Sequence, residues 1–243
     1  MGMPDYELYY WPGIPGRGEF VRLAFEEAGA PYVDVVRMPE ESGGGVKAMM
    51  RFLRGEEGGL LPFAPPFLRY GDLLIAQTAN ILQFLGPRLG LVPDDEAGRL
   101  RAHQIMLTIC DFLAEVHDVH HPIALALYYN DQKNEARRRA PYFLNERVPK
   151  HLGYLESLLD RDGHLVPGAI SYVDLAAFQV VDGLRYAFPQ TMAAAESKVP
   201  RLLALRDRIA ARPRIAAYLA SERRIPFNNR GLFRHYPELD IAP

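Results

Sequence analysis

The residues best suited to chemistry lie between Phe63 and Leu82, where FAPPFLRYGDLLIAQTANIL runs from a Pro-Pro corner through a hairpin to a polar helix start. Gln77 and Thr78 precede Ile81, Leu82, Phe84 and Leu85, which recur at helical spacing up to an expected stop at Gly86-Pro87. A helix beginning there turns free N–H groups and the positive end of its dipole toward whatever precedes it in space, an arrangement that accepts a carboxylate. Plain helix capping is the structural alternative. Pro65-Pro66, just before a strand, is a place where a cis peptide is accessible, since cis X–Pro lies only about 0.5–1 kcal/mol above trans. An ordinary trans turn is its alternative.

A second group closes a later helix. Asp111, Glu115 and Asp118 fall at i, i+4 and i+7, and His117, His120 and His121 crowd the last turn before Pro122. His117 and His121 have the spacing of a metal pair. Histidines near a helix C-terminus are equally favourable with the dipole, and with no third ligand indicated nearby no metal is expected. Cys110 is the only cysteine, which excludes an internal disulfide or a Cys-x-x-Cys pair. Among Ile105, Met106, Ile109 and Leu113 it reads as a buried, inert thiol.

These groups need elements to hold them. Tyr6–Trp11 reads as a strand, Arg17–Ala28 as a helix closed by Gly29, and Tyr32–Arg37 as a second strand. A Gly-rich loop with a short helix follows. Phe67–Tyr70 and Leu73–Ala76 then flank Gly71-Asp72 as a hairpin. The order βαβ, loop, ββα implies one small four-stranded sheet over 1–87. GPRLGLVPDD, from Gly86 to Asp95, is the natural boundary. Residues 96–243 read as all helix with a C-terminal tail. Ala97–His121 is long, about 37 Å, and stops at Pro122. A second helix is expected over about Asn134–Leu159. Ser171-Tyr172-Val173-Asp174 makes a capping-box-like start, with Ile170 and Leu175 placed as its staple. Val199–Ser221 should break into two helices at Pro213.

Composition narrows the function classes. At 243 residues there is material for one large domain or two small ones. A net charge of -2 offers no basic field for nucleic acid, and Arg137-Arg138-Arg139 reads as a solvated helix face. No apolar run approaches the ~18 residues needed to span a bilayer. MGMPDYE lacks a signal peptide's basic flank and apolar centre, and Gly2 lacks the Ser or Thr of an acylation motif. A cytoplasmic protein is therefore expected.

A small α/β unit before an all-helical unit, carrying LYYWPGIPGRGEFVRLAFEEAGAPY, APPFLRYGDLLIAQTANIL, SYVD and VPRLLALRDRIAARPRIAAYL in that order, resembles the cytosolic glutathione S-transferases of the tyrosine-type (sigma, mu and pi-like) classes. The resemblance covers nearly the whole chain. It implies a thioredoxin-like glutathione-binding domain, an all-helical domain completing a second-substrate pocket, and a homodimer. Glutathione is then the co-substrate, and the reaction is conjugation to small apolar electrophiles. Alternatives on the same site are a glutathione-dependent peroxidase or isomerase, or a weakly catalytic glutathione- or ligand-binding protein.

By resemblance, Tyr10 is the phenol aimed at the glutathione sulfur, with Tyr9 its rival on the opposite face of the strand. A free thiol titrates near 8.5, and a donor aimed at sulfur stabilises the thiolate. Arg17 adds positive charge beside it, unless it is a surface residue or pairs with Glu19. The loop before Arg17 is a residue longer than in the commonest relatives. Gln77 and Thr78 hold the γ-glutamyl end, and Trp11 lies along the glycyl side unless it packs in the core. Arg54 pairs the glycyl carboxylate, with Lys47 and Arg51 as rivals. Pro65 and a cis Pro66 meet the cysteinyl part. Pro65 has no N–H, so one of two backbone bonds is missing, at a cost of about 1 kcal/mol. His103 stands where several classes place an Asp that reaches the other subunit. Asp111, Glu115 and Tyr128 are candidates for the second-substrate pocket, with His117 and Tyr129 nearby. The tail RRIPFNNRGLFRHYPELD either crosses the pocket mouth or docks on the helical domain.

Overall fold

The computed structural model describes residues 6–240. The leader and acylation readings rest partly on residues 1–5, outside the described residues. Strand β1 (Tyr6–Tyr9) is followed by α1 (Gly18–Ala28), β2 (Val33–Asp34), α2 (Gly45–Leu53), β3 (Phe67–Tyr70), β4 (Leu73–Ala76) and α3 (Thr78–Leu89). The sheet order is β2-β1-β3-β4, with β1 and β2 parallel and the other pairs antiparallel. Alternation along β1 sends neighbouring side chains to opposite faces. Leu8 joins Val21, Phe25, Leu68, Ile81 and Leu85 beneath α1 and α3, while Tyr9 joins Val36, Met49 and Phe67 beneath α2.

Three boundaries differ from expectation. β1 ends at Tyr9, leaving Tyr10 and Trp11 outside the ladder. The second strand is only Val33–Asp34, because Val35–Arg37 winds into a 3₁₀ turn. α3 runs through Pro87 to Leu89 and is closed by left-handed Gly90. Proline in the last turn forfeits a single ladder bond, which the helix end tolerates.

The helical half holds α4 (Glu96–His120), α5 (Lys133–Tyr142), α6 (Val148–Leu158), α7 (Tyr172–Ala187), α8 (Pro189–Ala195), α9 (Pro200–Ala210) and α10 (Pro213–Leu219). α5 and α6 form one run through a π-helical segment at Phe143–Arg147. α7 is buried on nearly every side, as a helix apolar all round must be, and the main core gathers about it. Its start is tied down locally. Asp174 Oδ2 accepts from Ser171 N and Oγ, both at 2.7 Å, and Oδ1 accepts from Leu165 N at 2.9 Å.

Three acids of α1 join the halves. Glu27 pairs with Arg212 at 2.5 Å, Glu26 with Arg223, and buried Glu19 with Arg224 and with the Tyr218 hydroxyl at 2.6 Å. Arg214 also donates to the carbonyls of Glu27 (3.1 Å) and Ala28 (2.8 Å), satisfying groups that the helix end leaves free. Glu19 is thus held by Arg22 and Arg224 and makes no ion pair with Arg17.

Candidate functional site

Tyr10 leaves the end of β1 and buries its ring, only 6% exposed, under the turn that starts α1. The turn needs glycine there. A Cβ on Gly16 would fall 2.1 Å from the Tyr10 hydroxyl, and one on Gly18 would fall 2.6 Å from its ring. The backbone N–H of Arg17 donates to the Tyr10 hydroxyl at 2.9 Å. An acceptor position on that oxygen is filled, and the phenol's own proton remains to be donated. Burial pushes the phenol's pKa up, against the lowering pull of the Arg17 N–H and of the charges on Arg17 and Arg22, so it stays protonated at neutral pH. Tyr9 differs: its hydroxyl donates to Glu7 at 2.9 Å and its ring stacks on Phe67 at 4.6 Å.

The Arg17 guanidinium acts on Tyr10, on Cys110 and on His117. It therefore faces α4, and no carboxylate among the described residues pairs with it. Cys110 is half-buried rather than fully buried, and desolvation pushes its thiol up to about 11. It stays a protonated, poorly nucleophilic thiol at neutral pH.

Facing this corner is the start of α3. The Pro65-Pro66 bond is cis. Gln77 is exposed and takes φ 72, and no other described residue apart from glycines has a positive φ. No side chain caps α3, so plain capping does not account for Gln77 and Thr78. Buried Thr78 Oγ1 also lacks a partner. Backbone strain of this kind costs about 1–3 kcal/mol and persists where its surroundings enforce it. Gln77→Gly is accordingly expected to raise stability by about 1 kcal/mol while weakening, several-fold, binding of the glutathione that the sequence resemblance implies, read by thermal melts and calorimetric titration. Unchanged binding would remove Gln77 from the site.

The remaining sequence candidates fall in different places. Trp11 is 39% exposed beside Tyr10, not packed in the core. Arg54 is exposed with its nearest acid, Glu56, at 3.8 Å, whereas Lys47 is held by Glu40 at 2.7 Å and Arg51 by Glu57 at 2.5 Å. Glu115 turns to the π-helical segment before α6, where Arg147 grips both its oxygens at 2.7 Å. Asp111 is exposed on α4. Tyr128, with neighbouring Tyr129, lines a cavity of about 620 Å³ between the end of α4, the 125–130 loop and the tail.

Sequence reasoning missed what the tail does there. Arg223 and Arg224 dock on α1, and the chain then crosses the loop after Tyr10. Asn228 Nδ2 donates to Gly13 O at 3.0 Å, and Gly231 lies against Pro15. The tail also docks on the helical domain, Arg224 donating to Gln179 of α7 at 3.0 Å and the Tyr186 hydroxyl of the same helix donating to Asn229 at 3.0 Å. The third histidine also joins the metal-spaced pair: the ring nitrogens of His117, His120 and His121 lie within 4.8 Å of one another. His120 Nε2 sits 2.9 Å from the Leu232 carbonyl, which only accepts. Neutral His120 therefore carries its proton on Nε2, and His121 donates from Nδ1 across 2.6 Å. The positive charge of Arg234 bears on all three rings. That field opposes a bound cation.

Burial is the main cause that depresses His117 to about 4 and His120 to about 2. The unfolded chain takes protons near pH 6.5, so stability is fully present above that pH and falls as pH drops toward 4. His117→Asn should remove about 1–2 kcal/mol of that acid-side loss, allowing for partial solvent screening. Urea melts from pH 7 to 4.5 test this, and parallel curves for both proteins would refute it.

Residues 117–222 match the family model "Glutathione S-transferase, C-terminal domain". The chain is 26% identical over 230 residues to a glutathione S-transferase of Plasmodium falciparum, covering 91% of this chain and 98% of that one. It is 27% identical over 220 residues to the hematopoietic prostaglandin D synthase of Gallus gallus, covering 89% and 96%. Among solved structures, prostaglandin synthase D of Nilaparvata lugens superposes with a TM-score of 0.69 at 20% identity, over 92% of this chain and all of that one. A glutathione S-transferase of Caenorhabditis elegans gives 0.65 at 23%, over 93% of this chain.

Proposed function

This chain is a glutathione S-transferase, and we propose that it activates the glutathione thiol through Tyr10 and conjugates the thiolate to small electrophiles. One observation carries the assignment to Tyr10. Its hydroxyl already accepts from Arg17 N, so its proton is left for a facing sulfur. The unpaired Arg17 guanidinium adds positive charge to the same corner and favours the thiolate further.

In this reading the uncapped, positively polarised start of α3 takes the γ-glutamyl carboxylate with Gln77 and Thr78. Trp11 flanks the glycyl end. Arg54, the least firmly paired of the three basic candidates, meets the glycyl carboxylate. Pro65 contributes its carbonyl and Pro66 its cis geometry. The glutathione-binding unit spans 1–87 and the helical unit 96–243.

The protein acts as a homodimer in the cytoplasm. Leu60, Leu61 and Phe63 (93% exposed) and, on α4, Leu100 and Leu107 offer apolar surface for a second copy to cover. No helix among the described residues is long and apolar enough to cross a membrane.

The test is a pH titration of the ultraviolet thiolate band of bound glutathione. A thiol pKa well below the free value is expected. A bound thiol titrating like the free peptide would overturn the mechanism.

A further inference from the structure

The loop that brings Gly16 and Arg17 up to Tyr10 is held from the far end of the chain. Its upstream end is fixed by β1, and its downstream end by the Pro15 carbonyl, which accepts from Glu19 N at 3.0 Å and from Arg22 Nη1 at 3.4 Å. Between them, Pro12 to Ile14 make no backbone–backbone hydrogen bond to any described residue. Pro12 has no N–H to offer, and Gly13 turns the chain at φ 74. The one hydrogen bond to this stretch among the described residues is that of Asn228 Nδ2 to Gly13 O, 3.0 Å long and 215 residues away in sequence.

Asn228 is itself held in the orientation that this bond needs. Its Oδ1 accepts from Arg230 N at 3.0 Å, which leaves Nδ2 as the end that faces Gly13 and, at 3.2 Å, the Pro226 carbonyl. Gly231 N donates back to Asn228 O at 3.1 Å, so the asparagine stands at the corner of a tight turn. That turn rests on α7. Phe233 is buried against Gly183, where an added Cβ would fall 2.4 Å from its ring, and the Phe227 ring stacks on Tyr186 with centroids 5.3 Å apart. Asn229 Oδ1 accepts from both the Tyr186 hydroxyl and His235 N, at 3.0 and 2.8 Å. Gly231 then lies against Pro15 and Ile14, and Arg230 against Gly13. A braced tail thus grips a loop that has little else to hold it.

The position of this loop decides the chemistry at its end. Arg17 follows Gly13 by four residues; its N–H fills an acceptor site of the Tyr10 hydroxyl at 2.9 Å, and its guanidinium bears on the same phenol. An N–H donated into the phenol oxygen polarises the phenol's own O–H toward a facing acceptor. A loop that drifts outward takes both groups away from Tyr10.

We infer, resting on the transferase reading above, that Asn228 is a positioning residue for ionisation of the glutathione thiol: by tying down Gly13 it keeps the Arg17 N–H on Tyr10, and it acts on the sulfur only through that loop. The test is Asn228→Ser, which leaves an oxygen to accept from Arg230 N and is too short to reach Gly13. The readouts are the thiolate absorbance of bound glutathione against pH, to which unfolded protein contributes nothing, and the pH profile of conjugation to a neutral activated aryl halide at saturating glutathione. The thiol pKa should rise by about half to one unit, which lowers the rate at pH 6.5 about two- to fivefold and leaves the high-pH plateau in place. On a Tyr10→Phe background, Asn228→Ser should add no further shift. A thiol pKa unchanged by Asn228→Ser, even with a lower melting temperature, would make the asparagine a structural brace alone and overturn the inference. An equal shift in both backgrounds would overturn it too, because the action would then bypass Tyr10. If the bound thiol of the native protein titrates like the free peptide, the transferase mechanism itself fails and this inference falls with it.

Discussion

Tyr10→Phe is expected to lower conjugation of glutathione to a neutral activated aryl halide at pH 6.5 by about 10–100-fold, with little change at pH 9. A thiol left near 8.5 is only about 1% ionised at pH 6.5. A hydroxyl donor that lowers it by about two units makes half of it thiolate at that pH, and at pH 9 both forms are largely ionised. The loss should therefore appear as an upward shift of the pH–rate profile with the high-pH plateau retained. The ring is buried against Gly16 and Gly18, so phenylalanine fills the same space. The structural cost is one buried N–H, that of Arg17, left without its acceptor, about 1 kcal/mol. A rate lowered equally at all pH values would assign Tyr10 to positioning alone.

Glu19→Ala should be the most destabilising single change in the junction between the halves, by about 3–5 kcal/mol. Glu19 is fully buried, with Arg22 Nη1 at 3.3 Å, the Tyr218 hydroxyl at 2.6 Å and Arg224 on its oxygens. Its removal leaves the tyrosine hydroxyl without its acceptor and Arg224 without a carboxylate, with only Gln179 at 3.0 Å, at a contact 199–205 residues apart in sequence, while Arg22 keeps Asp34 at 2.7 Å and the Pro15 carbonyl at 3.4 Å. Unpaired buried charge is costlier than the pair was worth. A cost of this size is a large share of a domain's total stability. The double substitution Glu19→Ala with Arg224→Met should recover part of the loss, because it withdraws one orphaned cation. Urea denaturation of the two variants against the parent measures this. A loss below about 1 kcal/mol for Glu19→Ala, or no recovery in the double variant, would show that the cluster is solvated rather than buried as a unit.

How much is legible depends on the range of the cause. The hairpin at Gly71-Asp72, the Gly29 stop, the Ser171/Asp174 box and the break at Pro213 are set within a few residues, where turn chemistry and capping act, and each can be read directly. Local rules err where tertiary context outweighs them. Pro87 reads as a stop, although α3 continues to Gly90; Val35–Arg37 looks like strand, although no partner strand reaches it. Tyr10 is singled out by the family resemblance, and Gln77 also by its place at a polar helix start. The positive φ at Gln77 is not legible, since nothing in a Gln-Thr pair signals it. Glu115 is a different case: the family resemblance suggests a pocket role, and its pairing with Arg147, 32 residues away, has no local signal.

Periodicity, and residue types that act over one or two turns, are enough to set the order of elements, the sheet's two faces and the polar helix start at Gln77-Thr78. They do not say which acids of α1 meet the tail's arginines, which proton His120 keeps, or that Asn228 of the tail ties down the loop after Tyr10. Charge pairing and desolvation depend on distance in space, and the chain brings those groups together only when the tail folds back across its beginning.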